Sequence, residues 1–200
     1  MRVWDLEGGK APLVLKGHTG WVYAVALTAD GCSALSGSED NTVRVWDLEG
    51  GKAPIVLEGH TSWVYAVAVT ADGRLAVSGS GDKTVRVWDL EGGEAPLVLE
   101  GHTSSVYAVA LTADGRRAGF GSEGCTVGVW DLERGEEIAT FIGENAMSSC
   151  AVSRDGRTII AGDKSGRLHF LQLVEADKTK PLIGETKIQL LHREEPATDS

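Results

Sequence analysis

The sequence predicts an all-β protein built from repeated four-stranded antiparallel sheets. Three dipeptides recur every 42 residues: Trp-Asp at 46, 88 and 130, Gly-His at 17, 59 and 101, and Asp-Gly at 30, 72 and 114. Segments 17–58 and 59–100 are identical at all but nine positions. A fixed period of this length indicates stacked structural units, each formed by one copy of the repeat.

The four strands can be read within one copy. Residues 21–27 are rich in β-branched and aromatic residues and end at an Asp-Gly turn, and 33–38 form a strand of small residues. Residues 42–48 alternate apolar and polar side chains, and 53–58 carry Pro54, which suits an edge strand. Each copy is therefore predicted to be an antiparallel meander, and no segment has the pattern of a helix.

Composition and charge limit the possible partners. The 200 residues are 42% hydrophobic with 26 glycines, which is typical of a turn-rich globular protein. The net charge of −10 disfavours nucleic acid and anionic membrane surfaces as partners. No apolar stretch is long enough to span a bilayer and there is no apolar signal core, so a cytoplasmic location is expected. Three widely spaced cysteines and five scattered histidines give no metal-ligand pattern, and neither a metal nor a cofactor is expected.

The motifs closely resemble the WD-repeat (WD40) family: Gly-His, a strand, Asp-Gly, a strand, Ser-x-Asp-x-Thr-Val and Trp-Asp. The resemblance covers residues 1 to about 173 and implies blades of a β-propeller, with strands a to d running from the inside outward at 21–27, 33–38, 42–48 and 53–58. It implies a half blade over 1–16, units over 17–58, 59–100 and 101–142, a degenerate fourth unit over 143–173, and a tail over 174–200.

The half blade lacks strands a and b, since 2–6 match strand c and 11–16 match strand d. The fourth unit keeps the hydrophobic alternation but loses the polar residues typical of the family. Its outer strand is expected from the tail, over Pro181 to Leu190, followed by disordered terminal residues. Such a last unit also resembles the end of bacterial and cyanobacterial propellers attached to large signalling NTPases and kinases.

A possible nucleophilic triad, His18, Ser36 and Asp40, recurs as His60, Ser78 and Asp82. An active site repeated in adjacent units is improbable, whereas a structural network must recur with the unit. The resemblance implies that these residues join Trp46 and Trp88 in buried hydrogen-bonded tetrads, which are tolerable only if the polar groups satisfy one another. In the third unit His102 and Trp130 remain, but Phe120 and Gly124 replace the serine and the aspartate, so an incomplete network and a looser blade are expected. No catalytic residues are predicted.

Partner binding is expected at the loops on one face, where the resemblance places the usual binding surface. Aromatic side chains beside carboxylates would suit a peptide with apolar and basic groups. The competing hypothesis is that these rings pack between blades; the two alternatives are even for the tyrosines, and exposure is favoured for the tryptophans. The candidate residues are Trp21, Tyr23, Glu39, Trp63, Tyr65, Tyr107 and Glu123.

Four blades would leave two open flanks, because propellers of this family close with more blades. The simplest hypothesis is a homodimer that forms a ring of eight blades, with the half blade swapped or displaced. The predicted function is a non-catalytic scaffold that binds a protein or peptide. The alternative is a sensor portion of a larger signalling NTPase or kinase.

Overall fold

Every regular element in the described part of the chain is a β-strand, which confirms the predicted all-β fold. The computed structural model describes residues 1–4, 11–49 and 52–174 in full and residues 189–195 as backbone. These segments contain no helix that is long and apolar enough to cross a membrane.

The strands form one two-stranded and four four-stranded antiparallel sheets. The N-terminal pair is β1 (Arg2–Val3) and β2 (Leu13–Val14). The first blade contains β3 (Val22–Leu27), β4 (Ser33–Ser38), β5 (Val43–Asp47) and β6 (Ile55–Leu57). The second contains β7 (Val64–Val69), β8 (Leu75–Ser80), β9 (Val85–Asp89) and β10 (Leu97–Leu99). The third contains β11 (Val106–Leu111), β12 (Arg117–Ser122), β13 (Thr126–Asp131) and β14 (Glu136–Ile142), and the fourth contains β15 (Met147–Val152), β16 (Thr158–Asp163), β17 (Leu168–Val174) and β18 (Gln189–Glu195).

The outer strand of the fourth blade differs in position from the expectation. The sequence places it over Pro181 to Leu190, but the strand is Gln189–Glu195, and residues 181–188 lie outside the described residues. β18 pairs with the whole length of β17, from Leu168↔Glu195 to Val174↔Gln189. The position of β18 is set by its pairing with β17. The tail alternates only weakly between apolar and polar residues, so its sequence does not indicate where the strand lies.

The turn between strands a and b is built by a Thr-x-Asp-Gly motif. In the first blade the Thr28 hydroxyl donates to Asp30 at 2.6 Å, and the Cys32 N–H donates to the same carboxylate oxygen at 2.9 Å. Gly31 has a φ of +72°, a conformation that costs glycine little and other residues more. The same contacts recur in the second blade between Thr70, Asp72 and Arg74, so the turn belongs to the repeat.

Strand a carries a β-bulge at the same place in every blade. In the first blade the register of β3 against β4 shifts between Val22 and Ala24, which leaves Tyr23 as the extra residue. Equivalent shifts occur at Val64/Ala66 and at Val106/Ala108, so Tyr65 and Tyr107 occupy the same bulge position. Because a bulge redirects the side chain of the inserted residue, the three tyrosines project at the same end of successive blades.

The hydrophobic cores lie between neighbouring blades. Leu35 and Val43 of the first blade pack with Val64 and Val67 of the second. Strand b has a glycine at position 37 because a Cβ there would lie 2.7 Å from Val64. Full burial of one such apolar side chain stabilises the fold by about 1.5–3 kcal/mol, so each interface fastens one blade to the next. Corresponding cores join the second blade to the third and the third to the fourth, and the β1–β2 pair packs on the first blade through Val3, Leu15, Ala34 and Trp46.

Within the described residues the four blades do not close into a ring, and both end faces expose apolar side chains, although the β1–β2 pair covers part of the first. Val25 and Leu27 on strand a of the first blade are 61% and 63% exposed, whereas Val67, the equivalent of Val25 in the second blade, is 9% exposed. On the fourth blade Ile160 is 36% exposed, although its equivalent Leu35 is fully buried. The end faces therefore repeat the surfaces that form the internal interfaces.

Candidate functional site

The first blade contains a chain of four hydrogen-bonded side chains. The Trp46 indole N–H donates to Ser36 Oγ at 2.8 Å, and Ser36 Oγ lies 2.7 Å from His18 Nε2. Asp40 Oδ2 lies 2.9 Å from His18 Nδ1 and accepts its proton. With Nδ1 as the donor, Nε2 of a neutral imidazole accepts the serine proton, so the chain runs from tryptophan through serine and histidine to aspartate. The loop before strand a, strand b, the b–c turn and strand c each supply one of these residues.

The second blade repeats this chain with nearly the same distances. Trp88 donates to Ser78 at 2.8 Å, Ser78 lies 2.7 Å from His60, and His60 lies 2.8 Å from Asp82. Burial lowers the pKa of His60. For Asp82, burial raises the pKa, but hydrogen bonds from Thr84, Thr61 and His60 outweigh it and lower the pKa to about 2. A neutral histidine beside an ionised aspartate is therefore the stable arrangement in this blade.

Ser36 and Ser78 are both fully buried, which bears on the triad interpretation. Each hydroxyl contacts an imidazole and an indole N–H at once. A serine nucleophile must instead reach a substrate carbonyl on the side away from its general base. This geometry favours the structural interpretation of the tetrads.

The third blade has a different set of contacts. Nε2 of His102 and Nε1 of Trp130 are buried and have no hydrogen-bond partner among the described residues. Phe120, fully buried, packs edge-on against the His102 ring with centroids 6.0 Å apart. A carboxylate that the sequence analysis missed approaches from strand d: a Cβ at Gly128 would lie 2.9 Å from Glu137 Oε1 and 3.2 Å from Trp130 Nε1. Burial lowers the pKa of His102, and Glu137 opposes this shift.

The fourth blade has a polar network of its own, which sequence reasoning also missed. His169 Nε2 lies 3.0 Å from Asp163 Oδ2, and both side chains are almost fully buried. Asp163 also accepts hydrogen bonds from the Ser165 hydroxyl and the Arg167 N–H. Neither His169 nor Asp163 has a counterpart of its own type in the other blades, so the repeat pattern gave no signal for the pair. The sequence pattern that could have indicated this pair is an acidic residue at the end of strand b together with an inward-facing histidine on strand c.

The aromatic candidates form one continuous row along the bulged ends of strands a. We call the set Trp21, Tyr23, Trp63, Tyr65 and Tyr107 the aromatic row. Its ring centroids lie 6.4 Å apart for Trp21–Tyr23, 5.9 Å for Tyr23–Trp63, 5.3 Å for Tyr23–Tyr65, 6.2 Å for Trp63–Tyr65 and 5.0 Å for Tyr65–Tyr107.

The row is both packed and accessible. Trp21 is 73% exposed, Trp63 is 43% exposed and Tyr23 is 36% exposed. Tyr65 and Tyr107 are half-buried. Tyr65 lies between the rings of Tyr23 and Tyr107. The tyrosines thus pack against one another across blades, while the two tryptophans expose ring surface to solvent.

Carboxylates border the row. The backbone N–H of Trp21 donates to the Glu39 carboxylate at 3.2 Å, and the Ser104 hydroxyl donates to the Glu123 carboxylate at 3.2 Å. Hydrogen bonds from Tyr107 and Ser104 lower the pKa of Glu123. Burial, followed by the hydrogen bond to Glu123, raises the pKa of Tyr107. Lys164 of the fourth blade places its Nζ 4.8 Å from the centre of the Tyr107 ring.

A metal site and a groove are the two other kinds of site to consider in this fold. Within the described residues, no group of three or more histidine, cysteine, aspartate or glutamate side chains could hold a metal ion. A groove of about 280 Å³ between the second and third blades is bordered by Asp89, Glu94 and Glu133. None of its lining residues belongs to the aromatic row or to a tetrad.

Comparisons with known proteins agree with this architecture. The family model described as "WD domain, G-beta repeat" matches residues 9–47, 51–89 and 93–131, more than half of the chain. No curated protein matches. The chain is similar to the solved "Structure of U3-55K", with a TM-score of 0.74 and 22% sequence identity over 80% of this chain and 51% of that chain. The chain spans about half the length of that structure, and an identity this low shows only the shared fold. The repeats, the blades and the family match together show that the chain belongs to the WD-repeat family.

Proposed function

We propose that this chain is a non-catalytic scaffold that binds a protein or peptide through the aromatic row. The single observation that carries the proposal is the exposure of Trp21 and Trp63 on a packed base of tyrosines. Large aromatic side chains dominate the energetics of protein interfaces because they bury much area with few rotatable bonds. Membership of the WD-repeat family supports an interaction function in general.

The contrast between the row and the tetrads supports the same proposal. The tetrad side chains are directed into the blades and satisfy one another. The tryptophans of the row carry apolar surface to the outside, which soluble domains keep where a partner covers it. The tetrads therefore provide rigidity and the row provides contact.

The test compares two sets of exposed tryptophans. Wild type, Trp21→Ala/Trp63→Ala and the control Trp4→Ala are immobilised, and captured proteins are quantified by mass spectrometry. Trp4 is 61% exposed and directly follows β1, outside the row. The double variant should lose a partner that the other two proteins retain, with an unchanged circular dichroism spectrum. Equal capture by all three proteins would contradict the proposal, as would unfolding of the double variant.

We also infer that a second copy of the chain covers the open faces, in a homodimeric ring of eight blades. The exposed Val25, Leu27 and Ile160 lie at positions that are mostly covered in the internal interfaces. Propellers of four to eight blades are the usual closed forms, so a ring of eight lies within the known range. The β1–β2 pair already packs on the first blade and must move or be exchanged for such a ring to close.

The alternative function, a sensor portion of a larger signalling NTPase or kinase, rests only on resemblance of the fourth blade. Its polar pair, Asp163 and His169, is buried and therefore does not provide a sensor surface. The scaffold proposal is the one that the exposed residues support.

A further inference from the structure

One position in the b–c turn faces the aromatic row in every blade. It is the residue that follows strand b, namely Glu39, Gly81, Glu123 and Lys164 in the four blades. In the fourth blade Lys164 reaches the ring of Tyr107, which belongs to the preceding blade. An ammonium above an aromatic ring is attracted by the negative charge of the ring face. The row therefore already accepts a cation at one of its ends.

The second blade has no side chain at this position. A Cβ at Gly81 would lie 3.3 Å from the Tyr65 ring and 2.8 Å from the Ser62 hydroxyl, so the glycine backbone lies directly against these two side chains. Beside Gly81, Tyr23, Trp63 and Tyr65 contact one another with centroids 5.3 to 6.2 Å apart. We call these three rings the aromatic corner.

Negative charge surrounds the aromatic corner on both sides. Glu39 lies close enough to Tyr23 to contribute to the raised pKa of that phenol, after burial. Glu123 acts in the same way on Tyr65, again after burial. The whole chain has a net charge of −10. Two carboxylates next to electron-rich rings attract a cation more strongly than either group alone.

We propose that the aromatic corner beside Gly81 binds one lysine or arginine side chain of the partner peptide. The partner's cation occupies there the place that Lys164 occupies on Tyr107. This inference rests on the proposed function and adds the chemical class of the ligand and the three rings that contact it. An apolar side chain would gain ring contact but no attraction from Glu39 and Glu123.

The probes are two capped pentapeptides, acetyl-Gly-Ala-Lys-Ala-Gly-amide and the same peptide with norleucine in place of lysine. Their binding to the full chain is followed by NMR through the indole N–H signal of Trp63 and the ring signals of Tyr23 and Tyr65. We expect the lysine peptide to bind about tenfold more tightly than the norleucine peptide. Equal dissociation constants for the two peptides would overturn the inference.

A variant of Gly81 provides the second test. Gly81→Lys places a cation from the chain itself beside the aromatic corner and should remove the preference for the lysine peptide. The Ser62 hydroxyl has to move away from the new Cβ. The third blade accommodates the same arrangement, since Glu123 occupies the equivalent position beside Ser104. Asn41→Lys is the matched control: it adds the same charge in the equivalent turn of the first blade, at a φ of 67° close to the 70° of the native Lys83.

Four outcomes are informative. Loss of preference in Gly81→Lys with retention in Asn41→Lys supports the inference, provided that both variants melt like wild type. An unchanged preference in Gly81→Lys places the cation elsewhere and overturns it. Lys83→Ala excludes interference from the exposed lysine in the same turn: if this variant abolishes the preference, the aromatic corner is not the binding site. A partner that needs Trp21 and Trp63 but is unaffected by Gly81→Lys would sustain the scaffold function without this subsite.

Discussion

A single serine in each of the first two blades joins a tryptophan to a histidine. Ser78→Ala would leave the Trp88 indole N–H and the His60 Nε2 without their partner, which is close to the situation of Trp130 and His102 in the third blade. Leaving buried polar groups unpaired costs about 1–3 kcal/mol. We expect Ser78→Ala to lower the free energy of unfolding by that amount in urea titrations.

The control for this prediction is Thr61→Ala in the same blade. The Thr61 side chain is on the surface, and the N–H that donates to Asp82 remains after the substitution. If both variants lose equal stability, or neither does, the serine is not a fastening residue.

Recurrence explains which individual residues could be predicted from the sequence. His18, Ser36, Asp40 and Trp46 were grouped because the same four residue types return one period later, and the structure brings them together. Glu137 of the third blade occurs once, and its approach to Trp130 depends on a register shift between Val129 and Trp130 in the pairing of β13 with β14. A register of this kind is set by three-dimensional packing, so a single sequence does not reveal it.

At the scale of the element, the second blade should weaken in acid. The pKa values of His60 and Asp82 are both lowered in the folded state, so the unfolded chain binds protons more readily and stability rises with pH. The contribution of His60 is complete above its ordinary pKa of 6.5 and is lost as the pH falls through the folded value. That of Asp82 is complete above 3.8 and is lost as the pH falls towards about 2.

We therefore expect a lower urea midpoint at pH 5 than at pH 7.5. His60→Gln removes one of the groups responsible and should reduce the difference between the two midpoints. The buried His102 has a lowered pKa as well and should account for part of what remains. A urea midpoint that is equal or higher at pH 5 would contradict the expected loss of stability in acid.

The third blade should open more readily than the first two. Two of its buried nitrogen atoms lack partners, whereas the corresponding atoms of the second blade are hydrogen-bonded. Local opening follows local stability, so backbone amides of β12 and β13 should exchange hydrogen faster than those of β8 and β9. Hydrogen exchange followed by mass spectrometry of the separate strands measures this directly.

Gly124→Asp provides the complementary variant. A carboxylate at this turn could accept hydrogen bonds from Thr126 and from the Thr103 N–H, as Asp82 does from Thr84 and the Thr61 N–H. The exchange of β12 and β13 should slow in this variant. Equal exchange rates in the second and third blades of wild type would show that the missing bonds have no effect on opening.

The strands themselves were largely predictable, and the bulges were not. Alternation and turn residues place each strand of the first blade within one or two residues, as in 42–48 against the observed Val43–Asp47. The sequence puts Tyr23 near the start of strand a, but the bulge that turns it into the row depends on the pairing of β3 with β4. The residues of strand a indicated that aromatic side chains could be exposed. They did not predict that the rings form one continuous row.

For the whole molecule, the ends of the blade stack determine the assembly that we propose. Each internal core is shared by two blades. Among the described residues the fourth blade has one face without a neighbour, and the outer face of the first is covered only in part, by the β1–β2 pair. Val25 is 61% exposed on this face of the first blade, and Val25→Lys would place a charge where the second copy is proposed to pack. A buried unpaired charge is strongly unfavourable, so this variant should not dimerise.

Light scattering tests this assembly against the chain mass of 21.1 kDa. We expect wild type at twice that mass and Val25→Lys at the mass of one chain. Ile55→Lys is the control, since Ile55 is 55% exposed on the outer strand β6, away from the inner strand that carries Val25. It should remain dimeric, because a ring closed through blade faces leaves the outer strands in water. A folded wild-type chain at 21.1 kDa would exclude the ring of eight blades, and loss of the dimer in Ile55→Lys would show that the copies meet through the outer strands instead.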